Sequence, residues 1–211
     1  MNTDVIEIRG DLSGSEAALQ TAERFLSYNN IKGRDAVHIR LLTEEALSLV
    51  NGVMDDLNAK LCIESEKTDG GLLCRIRLTA DQGADERQES RIKSVSTSGK
   101  NESARGVLGK LRELVRRSSQ RSGYADEVQG GSWIGMGMHR DEISYVSDYY
   151  DGYWSLDSYR KQIESKPRES EEWDELEKSI IANLADDVKV YFKSGSTEIL
   201  IEKLLKATPH D

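Results

Sequence analysis

The stretch that decides the fold is Lys60-Leu-Cys-Ile-Glu-Ser-Glu-Lys-Thr-Asp-Gly-Gly-Leu-Leu-Cys-Arg-Ile-Arg-Leu-Thr79. Apolar and polar residues alternate on both sides of its Asp-Gly pair, which is a favoured two-residue connection between antiparallel strands. This turn pairs Ile63 with Ile76 on one face. On the other face it places Glu64 opposite Arg75, where an ion pair is expected. The stretch therefore predicts a β-hairpin with one apolar face.

The register of this hairpin also separates the two cysteines. Cys62 and Cys74 fall on opposite faces, so their side chains point apart and should not form a disulfide. Free thiols are typical of a reducing compartment. With two cysteines and three histidines in the chain, we expect no metal site.

A second hairpin is predicted near the carboxyl end of the chain. Two strand-like segments, which begin at Val188 and Thr197, flank the tight turn Ser194-Gly195. The two-residue register of this turn pairs Val190 with Ile199.

Helices are predicted wherever apolar residues recur at intervals of three and four. Ser13 and Glu16 have the spacing of a capping box at the start of the first helix. Because strands and helices are segregated along the chain, we predict a two-layer α/β (α+β) sandwich, with a mixed, mostly antiparallel sheet and helices on one face. The expected helices are residues 14–28, 35–55, 102–117, 156–163 and 173–187, and a first strand covers residues 4–9.

Composition limits the classes of function. The chain has 211 residues, of which 37% are hydrophobic and 32% charged, enough for one domain with a core and an insertion. Its formal net charge of -9 repels phosphate backbones and anionic lipids, so we expect neither nucleic acid nor a membrane as a direct partner. No segment approaches the ~20 apolar residues of a membrane helix, and residues 1–30 lack a signal-peptide core, which predicts a cytoplasmic protein.

Aromatic residues concentrate in residues 118–172, which hold six of the eight tyrosines and two of the three tryptophans. We interpret this range as an insertion with two alternative roles. It is either lid-like, covering the polar middle of the fold, or a partner-binding surface, since tyrosine and tryptophan are frequent anchors at protein interfaces. The candidate partner-binding residues are Trp133, Tyr149, Tyr150 and Trp154.

Two motifs carry a resemblance to a known family. The second helix contains Ile39-Arg-Leu-Leu-Thr-Glu-Glu45-Ala-Leu-Ser-Leu49-Val-Asn51, and the central hairpin runs into Ala80-Asp81-Gln82-Gly83. Together with the closing helix and hairpin, residues 4–83 and 174–204 resemble the GHKL (Bergerat) ATP-binding fold of the anti-sigma-factor serine kinases.

The resemblance implies roles for individual residues. Glu45 matches the glutamate that orients or activates the attacking water. Asp81 matches the aspartate that receives the adenine amino group, and Gly83 matches the glycine that follows it. Where the family has an asparagine that ligates Mg²⁺, this chain has Leu49, and leucine cannot ligate a metal. ATP or ADP is therefore the ligand that the resemblance implies, while Mg²⁺ is not expected in its usual place.

The glycine-rich phosphate box is where the chain departs furthest from the family. Before the last predicted helix the chain has Ser170-Glu-Glu-Trp-Asp-Glu, which contains no glycine. We assign the phosphate-binding lid instead to Gly106, Gly109 and Lys110, because backbone N–H groups beside glycine can cradle phosphate at a helix start. The alternative is that both glycines serve close helix packing.

The resemblance also implies a domain organisation. Residues 1–117 and 173–205 form the GHKL-like ATP-binding-fold domain, residues 118–172 are the insertion, and residues 206–211 are a tail.

Two classes of function remain open. In the first, the chain is a regulatory protein resembling an anti-sigma-factor or histidine-kinase-type ATP-binding domain, which binds nucleotide without appreciable turnover. If active, it is an ATP-dependent protein serine kinase with Glu45 as the base. In the second, it is a degenerate, nucleotide-free protein–protein interaction module. The expected partner is another protein, such as a sigma-factor-like regulator, and a homodimer is left open.

Overall fold

The structure of the chain is a computed structural model, which describes residues 1–9, 13–53, 58–81, 107, 109, 111, 152–193 and 196–206. Within these ranges the chain forms six strands and five helices. In chain order they are β1 (Ile6–Ile8), α1 (Ser15–Tyr28), α2 (Gly33–Val53), β2 (Asn58–Thr68), β3 (Gly71–Asp81), β4 (Gly152–Ser155), α3 (Leu156–Glu164), α4 (Glu171–Lys178), α5 (Ile180–Leu184), β5 (Asp187–Lys193) and β6 (Ser196–Lys206).

The six strands form one sheet in the order β1-β2-β3-β6-β5-β4. Every pairing among these strands is antiparallel, so the α+β class with a largely antiparallel sheet is confirmed. The mixed sheet that we expected is not found among the described strands. The reason is that the two hairpins join through β3 and β6, which run in opposite directions.

Both predicted hairpins are confirmed, including their registers. Ile63 of β2 pairs with Ile76 of β3, and Val190 of β5 pairs with Ile199 of β6. A slip of one residue would carry the apolar set to the polar face, which is why alternation specifies the register so well. The two cysteines lie on opposite faces, and both are free thiols as expected.

The ion pair predicted between Glu64 and Arg75 has different partners. The two residues lie opposite each other, but Glu64 binds Arg77 at 3.2 Å and Arg75 binds Glu66 at 2.7 Å. Long side chains reach the diagonal neighbour in an antiparallel pair as well as the residue directly opposite.

Further strands complete this network on the face of the sheet opposite to the described helices. Arg77 also binds Glu198, and Arg75 binds Glu202 at 3.1 Å, so β6 holds both arginines of β3. Lys189 of β5 joins through Glu202 at 2.7 Å. We call the side chains of this network the charged face.

The other face of the sheet is apolar and covered by helices. α1 packs against β1 and β2, and α2 packs against β3 and β6. Burying each large apolar side chain stabilises the fold by roughly 1.5–3 kcal/mol, so this layer dominates the folding energy. The large side chains with the least exposure in these elements are Ile8, Phe25, Ile39, Leu42, Leu49, Leu61, Ile63, Ile76 and Leu78.

The directions of α1 and α2 decide which residues meet at each end of the sandwich. α1 begins beside Glu7 of β1 and ends where Asn29 accepts a hydrogen bond from the Ser65 hydroxyl at 3.3 Å. α2 turns back from there, with Asp35 of its first turn near Cys74 at the beginning of β3. The second half of α2 therefore lies towards the end of the sheet at which β3 finishes.

The capping box predicted for α1 is wrong. The N-cap residue is Gly14, not Ser13, and no side chain caps the helix. Gly14 has a φ of 100°, a left-handed conformation that glycine adopts without strain. A Cβ atom at this position would overlap the carbonyl oxygen of Glu7, so the close approach of α1 to β1 excludes every side chain.

We expect Gly14→Ala to destabilise the protein by at least about 2 kcal/mol, because strain and overlap act together. Gly33→Ala is the matched control, since Gly33 also has a positive φ, of 60°, but no atom lies within 4 Å of its added Cβ. The control should cost roughly 1–2 kcal/mol at most. Urea denaturation measures both, and equal losses would contradict the proposed close approach.

The single helix predicted over residues 173–187 is two short helices. α4 ends at Lys178 and α5 begins at Ile180, because Ser179 between them is extended, with φ -81° and ψ 118°. Its hydroxyl accepts a hydrogen bond from the Ala182 N–H at 3.2 Å and so caps α5. Serine competes for backbone groups in this way, which apolar spacing does not reveal.

β4 and α3 lie within the predicted insertion, yet they belong to the sandwich. β4 pairs with β5, with Trp154 opposite Val190, and α3 packs against both strands. α3 itself confirms the short helix predicted at residues 156–163. The rest of the predicted insertion before Gly152 lies outside the described residues.

The carboxylate of Asp187 ties α3 to β5. Its Oδ1 accepts hydrogen bonds from the backbone N–H groups of Asp157, at 3.0 Å, and Val188, at 2.8 Å. Burial nevertheless raises the pKa of Asp187, because desolvation outweighs the stabilising effect of these bonds on the charged form. In the folded protein the ionised carboxylate is therefore less favourable than it is in the unfolded chain.

We expect Asp187→Asn to stabilise the protein at neutral pH, because the amide oxygen can keep both hydrogen bonds while the charge is removed. A folded-state pKa above the unfolded value means that the wild type loses stability as the pH rises through the two values. The gain should therefore shrink as the pH is lowered through the raised pKa towards the ordinary value of 3.8. Thermal unfolding across this range measures the effect.

Asp186→Asn is the control for this prediction. The Asp186 carboxylate binds Lys203 at 3.3 Å and is half exposed, so its loss removes an ion pair rather than a buried charge. It should give no gain in stability at neutral pH. A gain for Asp186→Asn, or a loss for Asp187→Asn, would contradict the assignment.

Candidate functional site

The candidate site is the end of the sandwich where β3 finishes. Asp81 is the last residue of β3 and lies opposite Asn58 of β2 and Ser196 of β6. The second half of α2, which carries Glu45 and Leu49, is directed to the same end of the sheet. The fold therefore brings the two motifs, from α2 and from the end of β3, to the same end of the sandwich.

Leu49 is buried, as predicted, with 1% of its surface exposed. Its neighbours Ala46 and Val50 on the apolar stripe of α2 are also buried. A hydrated Mg²⁺ needs oxygen ligands and room for water, and a leucine packed in the core supplies neither. Within the described residues, no group of three or more acidic, histidine or cysteine side chains could hold a metal ion.

Glu45 lies four residues before Leu49, on a similar side of α2, and is partly buried. Its backbone carbonyl accepts a hydrogen bond from the Ser48 hydroxyl at 2.9 Å. The position at the border between the apolar stripe and solvent is compatible with a base that activates water. It is equally compatible with the solvated flank of an amphipathic helix.

Gly109 is helical and buried, and so are its neighbours Val107 and Leu111 on the same helical stretch. Burial of this glycine agrees with the helix-packing interpretation. The other residues predicted for nucleotide binding, Gly83, Gly106 and Lys110, lie outside the described residues.

The assignment of Trp154 to a partner-binding surface is corrected by its burial. The side chain is 1% exposed, and its ring lies 6.0 Å from that of Tyr159 in the core. The alternation of β4 places Trp154 on the helix-covered face of the sheet, opposite Val190. The other partner-binding candidates, Trp133, Tyr149 and Tyr150, lie outside the described residues.

Neither cysteine is poised to act as a nucleophile. Burial, and to a smaller extent the carboxylate of Asp35, raises the pKa of Cys74 to about 12. Burial also raises the pKa of Cys62, with a further contribution from Glu64. A thiol attacks as the thiolate, so both cysteines stay protonated at neutral pH.

Sequence analysis did not identify the charged face as a unit. The signal was present in the alternation of Glu64 and Glu66 on β2 with the arginines of β3. What the sequence does not specify is the neighbour of β3 in the sheet, and this neighbour supplies Glu198 and Glu202.

After comparison with known proteins, the relation of this chain to the GHKL fold remains a resemblance. No protein-family model matches the chain, and no curated protein is significantly similar to it in sequence. In the described part of the chain, each helix is too short or too polar to cross a lipid bilayer. The functional assignment therefore depends on the motifs, the element order and the chemistry of the candidate site.

We expect Leu49→Asn to destabilise the protein by about 1–3 kcal/mol, because an amide is buried there without full hydrogen-bond partners. Val37→Asn is the matched control, since Val37 lies on the same helix but is 54% exposed. Its effect should stay within about 0.5 kcal/mol. An unchanged melting temperature for Leu49→Asn, together with newly acquired Mg-ATP binding, would contradict the filled pocket.

Proposed function

We propose that this chain is a regulatory protein built on a GHKL-like ATP-binding sandwich, and that it acts on another protein without transferring a phosphoryl group. Residues 4–83 and 174–204 carry the resemblance on which the proposal depends. ATP or ADP is the ligand considered for the site, and phosphoryl transfer with Mg²⁺ is the activity that we expect to be missing.

The observation that carries the proposal is the burial of Leu49. Phosphoryl transfer from ATP depends on a metal ion that neutralises charge on the phosphates in the transition state. At the position where the resemblance implies an asparagine ligand, the chain packs an apolar side chain that is 1% exposed. Loss of both the ligand and the space for water removes the usual means of catalysis.

The sheet topology supports the GHKL-like part of the proposal. The resemblance requires that the two hairpins share one sheet against the helix that carries the glutamate motif. β3 and β6 pair along their length, and α2 packs on both. Any other arrangement of these hairpins would have contradicted the resemblance.

Nucleotide retention is the point that separates two candidate functions. Asp81 at the end of β3, at the end of the sheet to which the Glu45 half of α2 is directed, supports a site that still binds the adenine base. The burial of Gly109 supports the second candidate, a nucleotide-free protein–protein interaction module in which this helix packs rather than cradles phosphate.

Isothermal titration of the chain with ATP and with ADP, each with and without Mg²⁺, tests the proposal. We expect Mg²⁺ to raise the affinity for either nucleotide by less than about threefold, because Leu49 stands where the resemblance implies the asparagine that ligates the metal. We also expect no transfer of ³²P from ATP to a protein acceptor. Submicromolar binding that depends on Mg²⁺ would overturn the proposal.

The variant Asp81→Asn distinguishes the two candidates. If the wild type binds ADP and Asp81→Asn weakens this binding by about tenfold or more, the nucleotide-binding regulator is supported, since a lost charged hydrogen bond has this size. If the wild type binds neither nucleotide, the nucleotide-free module is supported. Glu66→Gln, near the hairpin tip at the other end of the sheet, is the control and should leave nucleotide affinity unchanged.

A further inference from the structure

Three elements meet at the other end of the sandwich, far from the candidate nucleotide site. α1 ends at Tyr28, α2 begins at Gly33, and the connection between them is held to β2 by the hydrogen bond from Ser65 to Asn29. Lys67 lies two residues beyond Ser65 on the same face of β2, about 7 Å further along the strand. The exposed side chains of this end therefore share one surface.

Exposed cations lie on this surface, in a chain whose formal net charge is -9. Four cations around the helix connection are exposed, and they make no ion pair or hydrogen bond in the part of the chain that the structure describes. The acidic residues nearest in sequence are partly engaged elsewhere: Glu23 binds Arg40, Glu66 binds Arg75 on the charged face, and Asp35 is partly buried near Cys74, while Asp69 lies at the hairpin tip. The four cations are Arg24, Lys32, Arg34 and Lys67.

Exposed apolar side chains accompany these charges. Tyr28 is 76% exposed, the largest exposed fraction among the large hydrophobic residues that the structure describes. Val37, one turn into α2 from Arg34, is 54% exposed. We call Arg24, Tyr28, Lys32, Arg34, Val37 and Lys67 the turn surface. These residues come from the last two turns of α1, the connection that follows, the first turns of α2 and the end of β2.

The cations of the charged face, which form ion pairs within the fold, differ from those of the turn surface. On the charged face, each cation binds at least one glutamate of a neighbouring strand, and its side chain is at most 32% exposed. These cations are Arg75, Arg77 and Lys189. On the turn surface, comparable cations stand in solvent beside an exposed tyrosine. Their charge is not used within the described structure, and it is available to a partner.

We propose that the turn surface is a docking site for an acidic, partly apolar segment of a protein partner. The inference deepens the proposed function, a regulator that acts on another protein, and rests on it. Arginine and tyrosine are the side chains most often found as anchors of protein interfaces, and complementary charge fixes the partner and speeds its approach.

A protein segment fits the surface better than nucleic acid does. Nucleic acid carries charge along its whole length, so any part that extends past the turn surface meets a protein of net charge -9. An acidic peptide can end where the turn surface ends. It can also place an apolar side chain against Tyr28, which a phosphate backbone cannot.

The probe is a fluorescein-labelled peptide with the sequence Glu-Glu-Leu-Glu-Glu-Phe repeated twice, titrated with the full chain and followed by fluorescence anisotropy. We expect binding at low salt that weakens by about tenfold or more when NaCl is raised from about 50 to about 500 mM, because salt screens exposed charges. The double variant Lys32→Glu with Arg34→Glu should weaken low-salt binding by about tenfold or more. Tyr28→Ala should weaken it by about tenfold through loss of the apolar anchor.

Lys206→Glu is the matched control, because it changes the net charge by the same amount per site but projects from the opposite face of the sheet. It should change peptide affinity by less than about twofold. All variants lie at exposed positions, and unchanged melting temperatures will show that they fold. The docking site is overturned if the peptide does not bind, if Lys206→Glu weakens binding as much as the double variant, or if oligothymidylate of equal charge binds more tightly.

These outcomes are independent of the nucleotide titrations. The peptide reports on the turn surface at the α1–α2 connection, whereas Mg²⁺ and ATP report on Leu49 and Asp81 at the other end of the sandwich. A failed peptide titration therefore removes the docking site and leaves the test of the proposed function unchanged.

Discussion

The pairing of β3 with β6 joins the two halves of the structure. On one side of this pairing lie β1, α1 and β2, and on the other lie β4, α3, α4, α5 and β5. The pairing runs the full length of both strands, from Gly71 opposite Lys206 to Asp81 opposite Ser196. α2 packs across the pairing on the apolar face, and Arg75 and Arg77 cross it on the charged face. Both layers of interaction exist only when this pair of strands is in register.

Much of the fold could be predicted because its signals are local. The register of each hairpin follows from a two-residue turn and from alternation over a few residues, and the burial of Leu49 follows from the helical spacing of α2. The partners of Arg75 and Arg77 could not be predicted, because they depend on which strand lies beside β3. The identity of the neighbouring strand is set by tertiary packing and is not visible in the local sequence pattern.

The wrong predictions also arose where a local pattern did not show the contact that decides the structure. Apolar spacing indicated one helix over residues 173–187, whereas the cap formed by Ser179 divides it. Aromatic composition indicated a surface role for Trp154, whereas strand alternation buries it. At the candidate site, Asp81 at a strand end and Leu49 on a buried stripe were both predictable. A phosphate-binding role for Gly106 and Gly109 stays a prediction, since glycine in a helix serves packing and ligand approach alike.

The position of β6 in the chain has a consequence for synthesis. β3 is made long before its partner, because residues 82–195 must be added first. During this interval one edge of β3 lacks its native neighbour, and an unpaired apolar strand is a template for pairing with another nascent chain. Arg75 and Arg77 alternate with its apolar residues, and charges placed in this way act as gatekeepers against aggregation. Arg75 and Arg77 thus have two roles. In the folded protein they bind the glutamates of β6, and before β6 is synthesised their charges oppose aggregation of β3.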